Sequence, residues 1–290
     1  MNSSYIGRFA PSPSGPLHRG SLVAALASYL DAKAHHGQWR LRIEDIDMPR
    51  VIAGADTVIM QQLQHLGLHW QGPVLWQSKR IAYYDRLFAQ LQAQQLIYGC
   101  ACTRKEIFAV APHPKTQAHV YPGTCRHGVP AGRQARAWRL KTKDQVIAWQ
   151  DRWCGPQQQN VLQEVGDFIV KRADGLYAYQ FVVVADDIEQ GITHIVRGQD
   201  LSSSTARQML LTHYLHGTVP TYLHVPLVLD DYGHKLSKQN HAPALDSRQP
   251  LLALQQAWQD LGFLSISATS VDDFLGSATR QWANRFGIAA

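Results

Sequence analysis

The chain has 290 residues, 45% of them hydrophobic and 17% charged, enough to bury a full core as one large domain or one domain with a sizeable insertion; this excludes a disordered polypeptide. Lys and Arg number 28 against 22 Asp and Glu, a formal charge of +6 with a pI of about 9.2, which suits a polyanionic partner such as nucleic acid without proving one. No apolar run approaches the roughly 20 residues of a membrane helix, and residues 1–9 lack the basic and apolar stretches of a signal peptide, so a cytoplasmic protein with no membrane partner is expected.

In chain order, residues 5–10 read as a short strand, followed by a Pro/Ser/Gly-rich loop over 11–16 and an amphipathic helix over 21–35 with Leu22, Val23, Leu26, Tyr29 and Leu30 at helical spacing. Residues 39–44 read as a second strand, and 53–66 and 81–96 as helices. This strand–helix–strand opening predicts a doubly wound, Rossmann-type parallel α/β sheet. From residue 98 to about 160 the periodicity is lost and Gly, Pro, His, Gln and Cys accumulate, which marks an insertion. Regular signals return at 167–170, in the apolar run 181–184, in strands at 193–196 and 223–229, and in a helix over 203–216. The expected organisation is a first catalytic half (1–97), an insertion (98–165), a second half (166–240) and a short helical C-terminal region (241–290), with helices near 251–261 and 271–275.

The loop after the first strand suits nucleotide chemistry. A helix N-terminus offers unpaired N–H groups to phosphates, Gly20 permits close backbone approach, and His18 can donate to a phosphoryl oxygen. A second loop, Gly233-His234-Lys235-Leu236-Ser237-Lys238-Gln239, carries two lysines three positions apart that can gather triphosphate charge and stabilise departing pyrophosphate. For an acidic amino acid, arginine forks and a buried acid are needed, and Arg8, Glu44 and Arg197 stand near strand C-termini. Asp186 and Asp187 read as loop or cap acids.

The stretch RFAPSPSGPLHRGSL over 8–22 resembles the signature of glutamyl-type class I aminoacyl-tRNA synthetases, including their HIGH motif, with Arg19 and Ser21 at its second and fourth places. The lysine loop is similar to KMSKS, lacking the final serine. RIEDID around Glu44, AYQFVVVADD around Tyr179 and GITHIVRGQDLSSSTARQ around Arg197 are similar to the same family. The resemblance implies that His18, Gly20, Lys235, Ser237 and Lys238 form the catalytic set, with ATP on His18, Gly20 and Lys238. It implies that Arg8, Phe9, Ala10, Pro11 and Ser12 contact glutamate, with Arg8 on the side-chain carboxylate, Glu44 on the ammonium, and Tyr179 and Arg197 completing the pocket. ATP would enter as substrate with Mg²⁺.

Cys100, Cys102 and Cys125 cluster in the insertion and suit a structural tetrahedral zinc site, one ligand short; Cys154 stands apart as a plain thiol. His113, His119, Tyr121 and His127 are near, and histidine is the usual fourth ligand. Truncated members of the resembled family carry CxC…YxxxC, which implies Tyr121. Only 52 residues follow Lys238, too few for the helical anticodon-binding region of full-length family members. The resemblance is therefore to stand-alone paralogues that esterify glutamate to queuosine in the anticodon of tRNA(Asp). The implied partners are L-glutamate, ATP and queuosine-bearing tRNA(Asp), with the chain acting as a monomer. The alternatives are a minimal enzyme charging the 3′ end of tRNA(Glu), a non-enzymatic synthetase-derived regulator, and a nucleotidyl transferase.

Overall fold

The computed structural model describes residues 5–109, 120–229, 236, 244–246 and 248–289. Strand β1 (Ile6–Phe9) leads into α1 (Arg19–Ala34) and β2 (Gln38–Ile43), then α2 (Ala55–His65), β3 (Leu75–Trp76) and α3 (Ile81–Ala93). These strands form a parallel sheet in the order β1-β2-β3.

After β4 (Ile97–Cys100) and α4 (Arg104–Phe108) come β5 (Ala137–Leu140), β6 (Val146–Asp151), β7 (Gly155–Asn160), α5 (Val161–Glu164) and β8 (Ile169–Lys171). Strands β4, β5 and β8 make a small antiparallel sheet. The second half supplies α6 (Tyr179–Glu189), β9 (His194–Gly198), α7 (Thr205–Tyr214) and β10 (Thr221–Val225), and the C-terminal region α8 (Pro250–Asp260) and α9 (Val271–Phe286).

Strand β10 runs parallel to β9 on one side and to β6 on the other, giving the order β7-β6-β10-β9. This mixed sheet meets the β1-β2-β3 sheet where the Thr193 amide donates to the Ile6 carbonyl at 2.9 Å, so β9 lies alongside β1. The strand order reverses between β1 and β9. In a doubly wound sheet that reversal opens a crevice at the strand C-termini, where ligands bind.

Three differences from the sequence reading have physical causes. The stretch 98–160 reads as irregular, yet residues 146–160 form a regular hairpin whose first strand extends the β9–β10 sheet. Its QDRWCGPQQQ sequence lacks the apolar–polar alternation of a strand because polar residues, Gln157 to Gln159 among them, occupy both faces of β7. Helix α1 is buried on nearly every side, Ala25, Ala27, Ser28 and Asp31 included, because α8 and α9 cover the face opposite the sheet. Helix α9 runs 16 residues rather than five, capped by Ser270, whose hydroxyl accepts from the Asp273 amide.

Trp258 and Trp282 of these C-terminal helices are fully buried with Trp39 in the main core. Truncating one such indole costs on the order of 3–5 kcal/mol, so the C-terminal region is part of the main core. Asp31, fully buried on α1, accepts from Tyr5 Oη at 2.6 Å, from both terminal nitrogens of Arg152 at 2.7 and 2.9 Å, and from Trp282 Nε1 at 2.9 Å. One carboxylate thus ties β1, the hairpin and α9 together. Among the described residues no helix is long and apolar enough to cross a membrane.

Candidate functional site

The loop between β1 and α1 is pinned where it enters the site. The Glu44 amide donates to the Pro11 carbonyl at 3.0 Å, the Ile52 amide to Pro13 at 2.9 Å, and the Leu17 amide to Gln62 Oε1 at 2.8 Å. His18 is the N-cap of α1 in a reciprocal box: its Nδ1 accepts from the Ser21 amide at 3.3 Å, while Ser21 Oγ accepts from the His18 amide at 2.8 Å. Since Nδ1 accepts, the neutral ring carries its proton on Nε2, the tautomer that can donate to an anionic oxygen. Ser21, at the fourth place of the histidine motif, therefore orients His18.

Gly20 is constrained by space. A Cβ there would lie 3.2 Å from His18 Cε1 and 3.3 Å from the Leu236 carbonyl oxygen, so glycine lets the lysine-bearing loop approach the start of α1. Leu236 is held by its amide donating to Val228 at 2.9 Å. His18, Gly20, Pro11 and Leu236 share a cavity of about 350 Å³ with Val225 and Val228, whose apolar walls and helix N-terminus suit a nucleotide. Lys235, Ser237 and Lys238, like His113 and His119, lie outside the described residues.

A second cavity of about 270 Å³ adjoins the first, sharing Phe9, Ala10, Ser12 and Gly198. Arg8, Glu44, Tyr179 and Arg197 line it, brought from the ends of β1, β2, α6 and β9 to the point where the strand order reverses. Pro11 lines only the first cavity.

The electrostatics of this second cavity come from a buried charge cluster. Arg8 Nε donates to Asp187 Oδ1 at 3.1 Å, and Arg42 Nη2 donates to the same oxygen at 2.8 Å. Arg42, fully buried, also lies 3.6 Å from Glu44. Burial alone would raise the Asp187 carboxyl, but Arg42 and Arg8 outweigh it and hold the group below the usual carboxylate range. Glu44 behaves oppositely: burial pushes it up to about 7 despite Arg42 and Arg8, and its Oε1 has no hydrogen-bond partner among the described residues. A buried acceptor without a donor, beside a cavity, is suited to an incoming cation such as an ammonium.

Asp186 and Asp187 are not loop or cap acids. Both are buried on α6, Asp186 holding Arg80 Nε at 2.8 Å, Gln77 Nε2 at 2.9 Å and Tyr84 Oη at 2.9 Å. Two adjacent acids at the end of a continuous apolar run were the available signal, because such a run places flanking charges inside the fold unless it ends. Arg42 was passed over although it stands two residues before Glu44.

Arg197 donates from Nε to His224 Nε2 at 3.0 Å, from Nη1 to Gln208 Oε1 at 2.6 Å, and from Nη2 to Thr205 Oγ1 at 3.0 Å and the Leu201 carbonyl at 3.3 Å. Among the described residues no carboxylate pairs with it directly, so its charge is available to a substrate carboxylate.

A family model described as class I tRNA synthetases (E and Q), catalytic domain, matches residues 6–250. The chain belongs to this family. It is 58% identical over 289 residues to a glutamyl-Q tRNA(Asp) synthetase of Bordetella bronchiseptica, covering 98% of this chain and 91% of that protein. A glutamyl-Q tRNA(Asp) synthetase of Burkholderia orbicola is 52% identical, with both chains covered in full. Among solved structures, glutamate-tRNA synthetase from Elizabethkingia anophelis is 29% identical with a TM-score of 0.71 over 82% of this chain. A glutamate tRNA ligase from Elizabethkingia meningosepticum in complex with its amino acid is 30% identical at the same TM-score. The chain spans about half the length of those two solved proteins, 53% and 52%. This class I synthetase chain thus shares the catalytic fold of glutamyl enzymes and matches 91% and 100% of the length of those two glutamyl-Q relatives.

The cysteine cluster lies apart from both cavities. The Cys100, Cys102 and Cys125 sulfurs all fall within 4.8 Å of one another. Tyr121 Oη stands 3.4 Å from Cys100 Sγ and 3.7 Å from Cys102 Sγ, and accepts from the Cys125 amide at 3.0 Å. The Arg139 guanidinium stacks 3.6 Å over the Tyr121 ring and donates to Cys100 Sγ at 3.3 Å. Three sulfurs at such spacing suit a zinc site, with the Tyr121 oxygen standing beside them. His127 is exposed and outside this cluster.

Proposed function

We propose that this enzyme activates L-glutamate with ATP and transfers it to queuosine in the anticodon of tRNA(Asp). The observation that carries the reading is the meeting of Arg8, Glu44, Tyr179 and Arg197 on one 270 Å³ cavity that adjoins the His18 cavity. Glutamate at neutral pH carries two carboxylates and one ammonium. Arg8 and Arg197 attract the side-chain carboxylate, Glu44 the ammonium, and Phe9, Ala10 and Ser12 shape the floor, with Pro11 on the nucleotide side.

In the first step the glutamate α-carboxylate attacks the α-phosphorus of ATP, the bond to the bridging oxygen breaks, and pyrophosphate leaves with its electron pair. The residues act by positioning and by charge neutralisation. His18 Nε2–H and the α1 N-terminus meet phosphoryl oxygens, and Lys235 and Lys238, with Ser237 between them, neutralise the departing pyrophosphate. Mg²⁺ accompanies ATP as a counter-ion of the triphosphate. In the second step an acceptor hydroxyl attacks the mixed-anhydride carbonyl and AMP leaves.

The relatives' names support queuosine of tRNA(Asp) as the acceptor, and a net charge of +6 suits an RNA partner. In the same reading Cys100, Cys102, Tyr121 and Cys125 hold one zinc, which cross-links the turn after β4 to residues 121–125 and serves structure rather than chemistry. Residues 1–97 and 166–240 act as the two catalytic halves, 98–165 as the insertion and 241–290 as the helical C-terminal region, with the chain working as a monomer. Glutamate-dependent ATP–pyrophosphate exchange without RNA tests the first step: exchange with glutamate and not with glutamine or aspartate supports it, and exchange that requires tRNA, or prefers another amino acid, contradicts it.

A further inference from the structure

Strands β6, β10 and β9 are neighbours, and their register sets three side chains in a row across the sheet. His224 of β10 pairs directly with Arg197 of β9, and Asp151 ends β6 beside Tyr222. His224 Nδ1 lies 2.6 Å from Asp151 Oδ2, and His224 Nε2 lies 3.0 Å from Arg197 Nε. The Asp151 and His224 side chains are fully buried and Arg197 is 4% exposed.

An arginine Nε–H can only donate, so His224 Nε2 must be the unprotonated nitrogen. Nδ1 then carries the hydrogen and donates it to Asp151. The carboxylate in turn is fixed by the hairpin turn, where the Trp153 and Cys154 amides donate to its other oxygen at 3.0 and 2.8 Å. Burial lowers the His224 pKa, which agrees with a neutral ring.

We propose that Asp151 and His224 are positioning residues that fix the Arg197 guanidinium for the substrate carboxylate. The inference rests on the reading of Arg197 as a glutamate-binding residue. Four of the five Arg197 N–H groups already have acceptors, from His224, Gln208, Thr205 and Leu201, so the guanidinium has one orientation and presents one remaining Nη1 hydrogen. Its charge is balanced through an imidazole rather than by a touching carboxylate. A direct acid would quench the field that draws the substrate, whereas a neutral acceptor holds the plane and leaves the charge exposed to the cavity. The hairpin of residues 146–160 therefore contributes to amino-acid recognition through Asp151, although it does not line the cavity.

The test separates the two ends of the relay. His224→Asn keeps an N–H donor for Asp151 but has no atom at the Nε2 position, whereas His224→Gln brings Oε1 there as an acceptor. In pyrophosphate exchange, His224→Asn should raise the glutamate KM about ten-fold or more, the worth of one hydrogen bond to a charged group, with the ATP KM changed less than about two-fold. His224→Gln should recover most of that loss. In an Arg197→Lys background, which lacks Nε–H, His224→Asn should add less than about two-fold. Equal effects on both substrates, no recovery by Gln, or full additivity with Arg197→Lys would overturn the proposal. The wild-type ring gives a reading independent of folding: imidazole ¹⁵N shifts should show the Nδ1–H tautomer, and an Nε2–H or cationic ring at neutral pH would overturn it. An unchanged glutamate KM in Arg197→Lys alone would instead overturn the pocket reading itself, whichever tautomer is found.

Discussion

Arg8 and Asp187 face each other beneath the amino-acid cavity, with Nε 3.1 Å from Oδ1, and Arg42 reaches the same oxygen at 2.8 Å. One carboxylate thus holds two guanidinium groups of which one lines the cavity. Replacing Asp187 by Asn keeps the shape but leaves two buried cations beside each other. Breaking a buried pair in this way should cost about 3 kcal/mol or more in urea unfolding and raise the glutamate KM, because Arg8 loses its fixed direction. Stability within about 0.5 kcal/mol of wild type would show that the cluster is not the buried network described.

Glu44 sets a pH dependence. Its folded carboxyl is raised to about 7 by burial, so below that pH it is protonated and offers no charge to an ammonium. The glutamate KM should fall as pH rises through about 7, and Glu44→Gln should raise KM and remove that dependence. For stability the sign is opposite: a carboxyl raised on folding favours the folded state below its unfolded value, near 4.5, and that contribution is lost as pH rises through about 7. Melting curves of the ligand-free protein should show less loss over this interval in Glu44→Gln, and identical pH profiles for the two proteins would contradict the assignment.

The parts of the site that were legible in sequence are those whose chemistry is local. His18 and Gly20 sit in one loop, and Cys100, Cys102 and Cys125 within one segment, so spacing marked them as candidates, whereas Tyr121 came only from the family resemblance. Arg8, Glu44 and Arg197 were found by their places at strand ends. The partners that fix them were not legible, because Asp187 meets Arg8 only once α6 packs beside β1, and His224 and Asp151 meet Arg197 only through strand order and register. The hairpin of 146–160 escaped for the same reason, since its membership in the sheet is a pairing of Asp151 with Tyr222 of β10, far along the chain. Among the described residues, Leu236 brings the backbone of the lysine loop up to Gly20.

The cysteine cluster predicts metal content. Purified protein never exposed to chelator should contain about one zinc per chain. Cys102→Ser should lower that content and loosen residues around β4 in hydrogen exchange while leaving pyrophosphate exchange within about two-fold. Full-length protein that holds no zinc, with unchanged protection of that region in Cys102→Ser, would remove the site.

Asp31 tests whether the C-terminal helices belong to the catalytic core. Its carboxylate accepts from Tyr5, Arg152 and Trp282. Asp31→Asn should destabilise by about 3 kcal/mol or more, as expected for a buried charge losing its partner. Burial would raise its pKa, but Arg152, Tyr5 and Trp282 outweigh that and hold it low, so its contribution is present above the ordinary carboxyl range and lost as pH falls below it. Asp246→Asn, which breaks the exposed pair with Arg248, should have no measurable effect. Equal effects of the two substitutions would contradict the hub.

The acceptor is tested most directly by following labelled glutamate onto tRNA. With ATP and enzyme, tRNA(Asp) carrying queuosine should become labelled, while tRNA(Asp) lacking queuosine and tRNA(Glu) should not. Mildly acidic nuclease digestion should release the label with the anticodon nucleoside. Label released with the 3′-terminal adenosine, or equal labelling of tRNA without queuosine, would contradict the account.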